Sequence, residues 1–306
     1  MEIIDIAIIG NGPAGYSASI YASRYKLSNI IFGKLSGGTA TQAHSICNYP
    51  GFTEISGMEL GQKMEEQAKE NGAIFSPTSV MDIKKDGDIF VLTTDTKEEY
   101  RTKTIILCTG TDRSKLHIPE EDKYLGRGLS YCATCDAMFF RNKTVAVIGG
   151  DDAATMSALL LSDIAKQVYI IYKGTELNGD KLRIEKLKEK ENVSILYSAL
   201  VTGLIGEKKL EKIKLSKPYN DSNELELNGL FVEIGSEPNN LLPNILGVNT
   251  DKQGYIVVHN EQKTNVEGVW AAGDCTTNSN KLKQIVTACA EGAVASNSIQ
   301  EYLKSK

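Results

Sequence analysis

Cys132-Ala133-Thr134-Cys135 sets two thiols at the spacing that closes a disulfide across a single turn. Such a pair works by thiolate attack on another disulfide, through a mixed disulfide. A helix beginning after the pair would lower the thiolate pKa and speed that exchange. Asp136 stands beside Cys135, in place to carry the proton the exchange moves. The competing use of the motif is half of a zinc site, which needs a second Cys or His pair. Cys47, Cys108, Cys275 and Cys289 are scattered, and His44, His117 and His259 have no ligand spacing, so no metal is expected. Cys108 lies in an apolar strand pattern and reads as a small core residue, and the other three as structural.

A second chemistry is written in Gly10-Asn11-Gly12-Pro13-Ala14-Gly15, between an apolar strand at 3–9 and a helical pattern from Ala14 to about Tyr25. Gly10 permits the tight turn, Gly12 lets the backbone approach a pyrophosphate, and Gly15 lets helix and strand pack closely. The helix N-terminus offers free N–H groups to the phosphates. The acidic residue expected at the end of the next strand, 29–32, is absent, and Phe32-Gly33-Lys34 stands there. A later strand, 268–272, leads into Gly273-Asp274, where the carboxylate can accept from a cofactor hydroxyl or simply close a turn.

The elements that must carry these motifs repeat. Residues 57–72 read as an amphipathic helix, 88–94 and 98–101 as a hairpin, and 104–108 as a strand. A second βαβ unit follows, with strands at 143–148 and 167–172 around a helix at 153–164. The charged run 181–191 fits a solvated helix face, Leu230–Ile234 is a strand, and 283–303 is a helix. This is an α/β chain with two dinucleotide-type, Rossmann-like three-layer domains, the second inserted into the first. The expected boundaries are 1–114 plus 243–306 for the outer domain and 115–242 for the inner one.

Bulk composition agrees with two globular domains. The chain has 306 residues, 41% of them hydrophobic, and a net charge of −5. The charge disfavours general nucleic-acid or anionic-membrane binding. No apolar run approaches the roughly 18 residues of a membrane helix. The first residues carry no basic region before an apolar run, so no signal peptide is expected and a reducing, cytoplasmic location is.

With these motifs in this order, the chain resembles the low-molecular-weight thioredoxin reductase family over nearly its whole length. The matching segments are Gly10–Gly15, Gly37-Gly38, Asn48-Tyr49-Pro50-Gly51-Phe52, Gly126–Asp136, Gly229–Gly235 and Gly268–Asp274. The resemblance implies an FAD domain built from both chain ends and a central domain carrying the cysteines. It implies a homodimer passing electrons from FAD to the Cys132/Cys135 disulfide and on to thioredoxin. By that pattern Cys135 faces the flavin, Cys132 attacks thioredoxin, and Asp136 donates the proton. The cofactor would lie against Gly10, Gly12, Pro13, Ala14, Gly15, Gly33, Lys34, Gly38, Thr39, Asn48 and Val80. Thr109, Gly110, Gly273, Asp274, Lys283 and Gln284 complete that lining. A helix starting near Lys283 would aim its positive end at the flavin. The domains must also rotate, on hinges near 112–117 and 240–245.

The central domain departs from the family pattern. Its loop is Gly149-Gly150-Asp151-Asp152-Ala153-Ala154, with Asp151 where a glycine should face the pyrophosphate. Carboxylate and phosphate at ~4 Å repel by about 1 kcal/mol in water and roughly 4 kcal/mol near a protein surface. Asp151 and Asp152 can instead complement the helix dipole themselves. Tyr172–Gly179 has no arginine to hold a 2′-phosphate, and Met156 and Ser157 replace the usual acidic pair. NADPH and NADH are therefore not expected, and ferredoxin is the expected donor, as in the ferredoxin-dependent flavin thioredoxin reductases. The alternatives are an NAD(P)H-dependent thioredoxin reductase with an atypical nucleotide site, and a non-catalytic flavoprotein redox sensor.

Overall fold

The computed structural model describes residues 3–43 and 46–306, without the side chains of Arg113, Thr134 and Cys135. The chain enters through β1 (Ile3–Ile9), α1 (Pro13–Arg24) and β2 (Asn29–Phe32), a βαβ unit with Ile8 opposite Ile31. Pro13 suits the first turn of α1, where its missing N–H would have had no helical partner. A 3-10 turn (Gly38–Gln42) precedes α2 (Gly57–Glu70), whose Ser56 cap accepts from Glu59 N at 3.1 Å. Then come β3 (Ile74–Ser76), β4 (Val80–Asp86), β5 (Ile89–Thr94) and β6 (Glu99–Leu107). The sheet order is β3-β2-β1-β6-β5-β4, with β6 parallel to β1 and antiparallel to β5. The sequence reading divides 98–101 from 104–108, whereas β6 is one strand. Thr102 and Thr104 lend their hydroxyls to the Ile4 and Asp5 carbonyls at 3.1 and 2.7 Å, so polar residues continue the ladder.

The chain leaves this unit through β7 (Thr111–Arg113). The second compact unit is Arg113–Ser236. Its elements are α3 (Glu121–Tyr124), β8 (Leu129–Ser130), α4 (Ala133–Asp136), β9 (Thr144–Ile148), α5 (Asp152–Ser162), β10 (Gln167–Tyr172) and α6 (Lys181–Lys188). They continue with β11 (Val193–Tyr197), β12 (Val201–Ile205), β13 (Lys212–Tyr219), β14 (Ser222–Glu226) and β15 (Gly229–Val232). Five strands form a parallel sheet in the order β11-β10-β9-β15-β8. Its strands are apolar on both faces because both are covered. Val145 and Val147 pack with Ala158 and Leu161 of α5, while Ala146 and Ile148 pack with Val201 and Ile213 of the antiparallel β12-β13-β14 sheet.

β16 (Ser236–Pro238) returns the chain and pairs with β7. The first unit thus joins the residues up to Asp112 to Glu237–Lys306. Residues 240–245, expected as a hinge, mostly lie within α7 (Leu241–Leu246), and the return crossing comes earlier because β16 is held by β7. β17 (Val269–Ala271) then adds to the C-terminal end of β6, with Trp270 beside Ile106. α8 (Ile285–Lys304) packs on α1 at very close range. A Cβ at Gly292 would sit 2.2 Å from the Ala14 carbonyl oxygen, and Ser17 and Ser296 hydroxyls bond across the helices at 2.7 Å each. Both units are Rossmann-like. Among the described residues, no helix is long and apolar enough to cross a membrane.

Candidate functional site

The first glycine turn is shaped for close backbone approach. Gly10 has φ +121°, and a Cβ there would lie 2.0 Å from the Cys108 carbonyl oxygen. A Cβ at Gly15 would lie 1.9 Å from the Gly10 carbonyl oxygen, so only glycine lets α1 start this close to β1. Gly12 is different: a Cβ there would meet only the Gly38 Cα, at 3.9 Å, so its face is open. Gly12 is also the N-cap of α1, with no side chain capping it and no acidic residue in the first turn. The first amides of α1 are thus left for an outside anion.

Gly33, at the end of β2, is explained by its neighbour. A Cβ there would fall 2.4 Å from Asn11 Oδ1, and Asn11 Nδ2 donates to the Gly33 carbonyl at 3.1 Å. The Asn11 amide occupies the space beside Gly33, next to the position where dinucleotide folds often carry an acid. Lys34, expected against the cofactor, is ion-paired with Asp95. Thr39 is exposed on the 3-10 turn, and Val80 is buried at the start of β4. Gly110 has φ +61° and open space around its Cβ position.

β17 delivers Gly273-Asp274 to the same turn. A Cβ at Gly273 would come 2.9 Å from Ala14 Cβ, which places the Asp274 loop against the start of α1. Lys283 lies before α8, not in it, and its ammonium stands 4.3 Å from the centre of the Tyr255 ring. Gln284 is the N-cap, and its Oε1 accepts from Asn48 Nδ2 at 2.9 Å, which unites two expected site residues from distant segments. Thr109 Oγ1 is buried. It lies beside Cys275, whose thiol is directed at the Leu107 and Ala272 carbonyls at 3.5 Å each. An open glycine face and uncapped helix amides fit the phosphate groups of a dinucleotide.

Burial raises the Asp274 carboxyl to about 6, against the opposing pull of Lys283 and with a smaller push from Glu291. The folded protein then holds a proton the unfolded chain has released between pH ~4 and 6, so stability falls as pH rises through that window. A rise from 3.8 to about 6 corresponds to at most roughly 3 kcal/mol. Asp274→Asn is expected to raise the thermal midpoint of the cofactor-free protein at pH 7. The gain should shrink to nothing near pH 4, as calorimetry at several pH values would show. A pH-independent difference would contradict this placement.

One residue escaped the sequence reading. Glu291 is only 5% exposed and accepts from Gly273 N at 2.8 Å, Thr276 Oγ1 at 3.1 Å and Ser279 Oγ at 2.5 Å. The available signal was its register: it lies three residues after Ala288 and beside Gly292, on the small-residue stripe that α8 buries. The loop it grips ends in Ser279, Asn280 and Lys281, three successive non-glycine residues with φ of +48°, +54° and +58°. Each such residue costs about 1–2 kcal/mol.

Cys132 is half-buried and disulfide-bonded. Its N–H donates to Ser130 Oγ at 3.0 Å and its carbonyl accepts from Asp136 N at 3.1 Å. The motif therefore forms the one-turn helix α4 itself, whereas the sequence reading places a helix after the pair. The side chain of Cys135 lies outside the described residues. Asp136 is half-buried at the end of α4. Met138 and Phe139, 59% and 72% exposed, stand on the following turn. Cys108, Cys275 and Cys289 are free thiols. Burial pushes Cys275 up to about 11 and Cys108 well above the usual thiol range, so both stay protonated at neutral pH.

The second glycine turn is closed by the protein's own groups. Asp151 is the N-cap of α5 and its Oδ1 accepts from Ala154 N at 3.2 Å. Asp152 Oδ1 accepts from Asp180 N at 2.7 Å and pairs with Arg183 Nη1 at 3.1 Å. Asn178 N donates to the Gly150 carbonyl at 2.7 Å, drawing the loop after β10 over the turn. The Tyr172 ring lies against Gly150, where an added Cβ would come within 2.5 Å of it. Ser157 donates to the buried Glu233 at 2.8 Å.

The family described as pyridine nucleotide-disulphide oxidoreductase matches residues 4–292. Thioredoxin reductases of Mycoplasma genitalium and Treponema pallidum are each 38% identical to the chain. The first alignment covers 96% of this chain and 93% of the relative, the second 98% and 97%. The chain belongs to the thioredoxin reductase family. Among solved structures of that family, the Lactococcus lactis thioredoxin reductase has a TM-score of 0.94 at 31% identity, over 99% of this chain and 100% of that one. A ferredoxin-flavin thioredoxin reductase from Clostridium acetobutylicum has a TM-score of 0.55 at 34% identity, over 100% of each chain. As a thioredoxin reductase family member the chain is an oxidoreductase.

Proposed function

We propose that this chain is an FAD-dependent thioredoxin reductase that draws its electrons from reduced ferredoxin and not from NADPH or NADH. The observation that carries the donor assignment is the self-capped second glycine turn. Asp151 occupies the helix terminus that a pyrophosphate would need, and Asp152 is engaged by Arg183, one of the cations a phosphate could have recruited.

FAD would be held by the Gly10–Gly15 turn, with its pyrophosphate at the uncapped start of α1 and its polar groups near Asp274 and Thr109. Bound there, a flavin supplies a centre that accepts electrons singly and delivers them in pairs. Gly12 and Gly38 keep side chains out of the phosphate path. Asp274, with its raised pKa, can accept from or donate to a ribityl hydroxyl. Family resemblance supports a homodimer.

In the thiol step, the reduced pair is Cys132 and Cys135. The Cys132 thiolate attacks a thioredoxin disulfide; one sulfur–sulfur bond forms to Cys132 and the other thioredoxin sulfur leaves as a thiolate. The Cys135 thiolate then attacks Cys132, reforming the internal disulfide and releasing the second thioredoxin thiolate. Two electrons pass to thioredoxin, and two protons complete its dithiol, with Asp136 as the near donor. The disulfide at Cys132 corresponds to the oxidised state of this cycle. Met138 and Phe139 give a protein substrate an apolar rim beside the pair.

Titration calorimetry of NADPH and NADH into the oxidised protein tests the donor side. Binding weaker than about 1 mM is expected, since about 4 kcal/mol lost from a micromolar ligand is roughly a thousandfold. Micromolar binding of either nucleotide would overturn the assignment.

A further inference from the structure

We infer that Glu291 is a positioning residue for the flavin site, holding the Gly273–Lys281 loop in the shape that presents Asp274. The inference rests on the flavin reading above. Glu291 is nineteen-twentieths buried, and among the described residues no Lys or Arg bonds to it. Both of its oxygens are spent on one loop. Oε2 takes Gly273 N and Thr276 Oγ1, on either side of Asp274, and Oε1 takes Ser279 Oγ at the mouth of the left-handed turn. The far side of that turn is tied down by Lys281 Nζ, 2.6 Å from Asp251 Oδ2 and 2.7 Å from Gln253 Oε1.

Three successive left-handed residues persist only where surrounding contacts over-determine them. Here the contacts are these two anchors, and the segment between them is the one that carries Asp274 from β17 toward α8. A buried acid that served packing alone would be better replaced by an apolar residue. Its placement against the Asp274 loop gives it a role an apolar residue cannot fill, because its two oxygens accept from the loop N–H and hydroxyls.

The test uses the full-length protein stripped of flavin, with FAD titrated back by fluorescence quenching and the thermal midpoint of the flavin-free form measured alongside. Glu291→Ala is expected to raise the FAD Kd at least tenfold, and Ser279→Ala at least threefold. The double variant should be no weaker than Glu291→Ala alone, because both remove one interaction. Ser279→Gly added to Glu291→Ala should recover at least threefold in affinity: glycine accepts φ +48° without strain and removes the hydroxyl left without its acceptor. That rescue separates positioning from a general loss of stability. FAD binding by both single variants within twofold of wild type overturns the inference, as does a double variant that gains nothing from glycine. If Glu291→Ala does not fold, Ser279→Ala decides alone. A wild-type protein that binds no FAD overturns the flavin reading and this inference together.

Discussion

Exchanging Cys132 or Cys135 for serine is expected to lower thioredoxin reduction by roughly 10⁴-fold or more, the scale on which loss of a covalent nucleophile acts. Flavin content and the thermal midpoint should stay near wild type, because the glycine turn and the Asp274 loop belong to the other compact unit. The two variants should also differ from each other. With Cys135→Ser, the Cys132 thiol has no internal partner and should be trapped as a mixed disulfide with an activated single-cysteine thioredoxin. Cys132→Ser should give little adduct, since the attacking sulfur is gone. Reversed behaviour would exchange the two roles. Equal turnover in wild type and either variant would remove this pair from the mechanism. Cys108 and Cys275 offer no bypass, since burial holds both thiols protonated.

The second large effect concerns the donor. Reduced ferredoxin is expected to drive thioredoxin reduction at least about tenfold faster than NADPH at 100 μM, since a site of about 1 mM or weaker is at most roughly one-tenth filled at that concentration. The physical reason is competition at the start of α5. A helix terminus offers a few unpaired N–H groups and about half a positive charge, and one anion satisfies it. At α1 no side chain takes that place; at α5 Asp151 already does. Asp151→Gly alone should not create a good nucleotide site, because Asp152, Arg183 and the loop drawn in by Asn178 would still cover the turn.

What could be read from sequence was what short spacing controls. Cys132 and Cys135, the Gly10–Gly15 turn and the Asp151 cap each depend on neighbours within five residues, and strand and helix patterns around them set their context. β1, β2 and β10 were legible to the residue because each is a short apolar run between turn signals. Longer-range arrangements were not legible. β6 reads as two strands because its threonines look like a break, until their hydroxyls meet carbonyls of β1 almost a hundred residues earlier. Arg183 sits in a charged stretch that resembles any solvated helix face, and its partner Asp152 is 31 residues away. Glu291 also looks like an ordinary polar residue of a long helix. Only the fold brings it under Gly273, Thr276 and Ser279.

The most direct test is anaerobic. The purified, FAD-loaded protein is mixed with oxidised thioredoxin and, in separate cells, NADPH, NADH or photoreduced ferredoxin, while flavin absorbance and thioredoxin thiols are followed together. The account predicts bleaching of the flavin and stoichiometric thioredoxin thiols with ferredoxin, and neither with 100 μM nucleotide. Rapid bleaching by micromolar NADPH or NADH, with thioredoxin reduced in step, would contradict it.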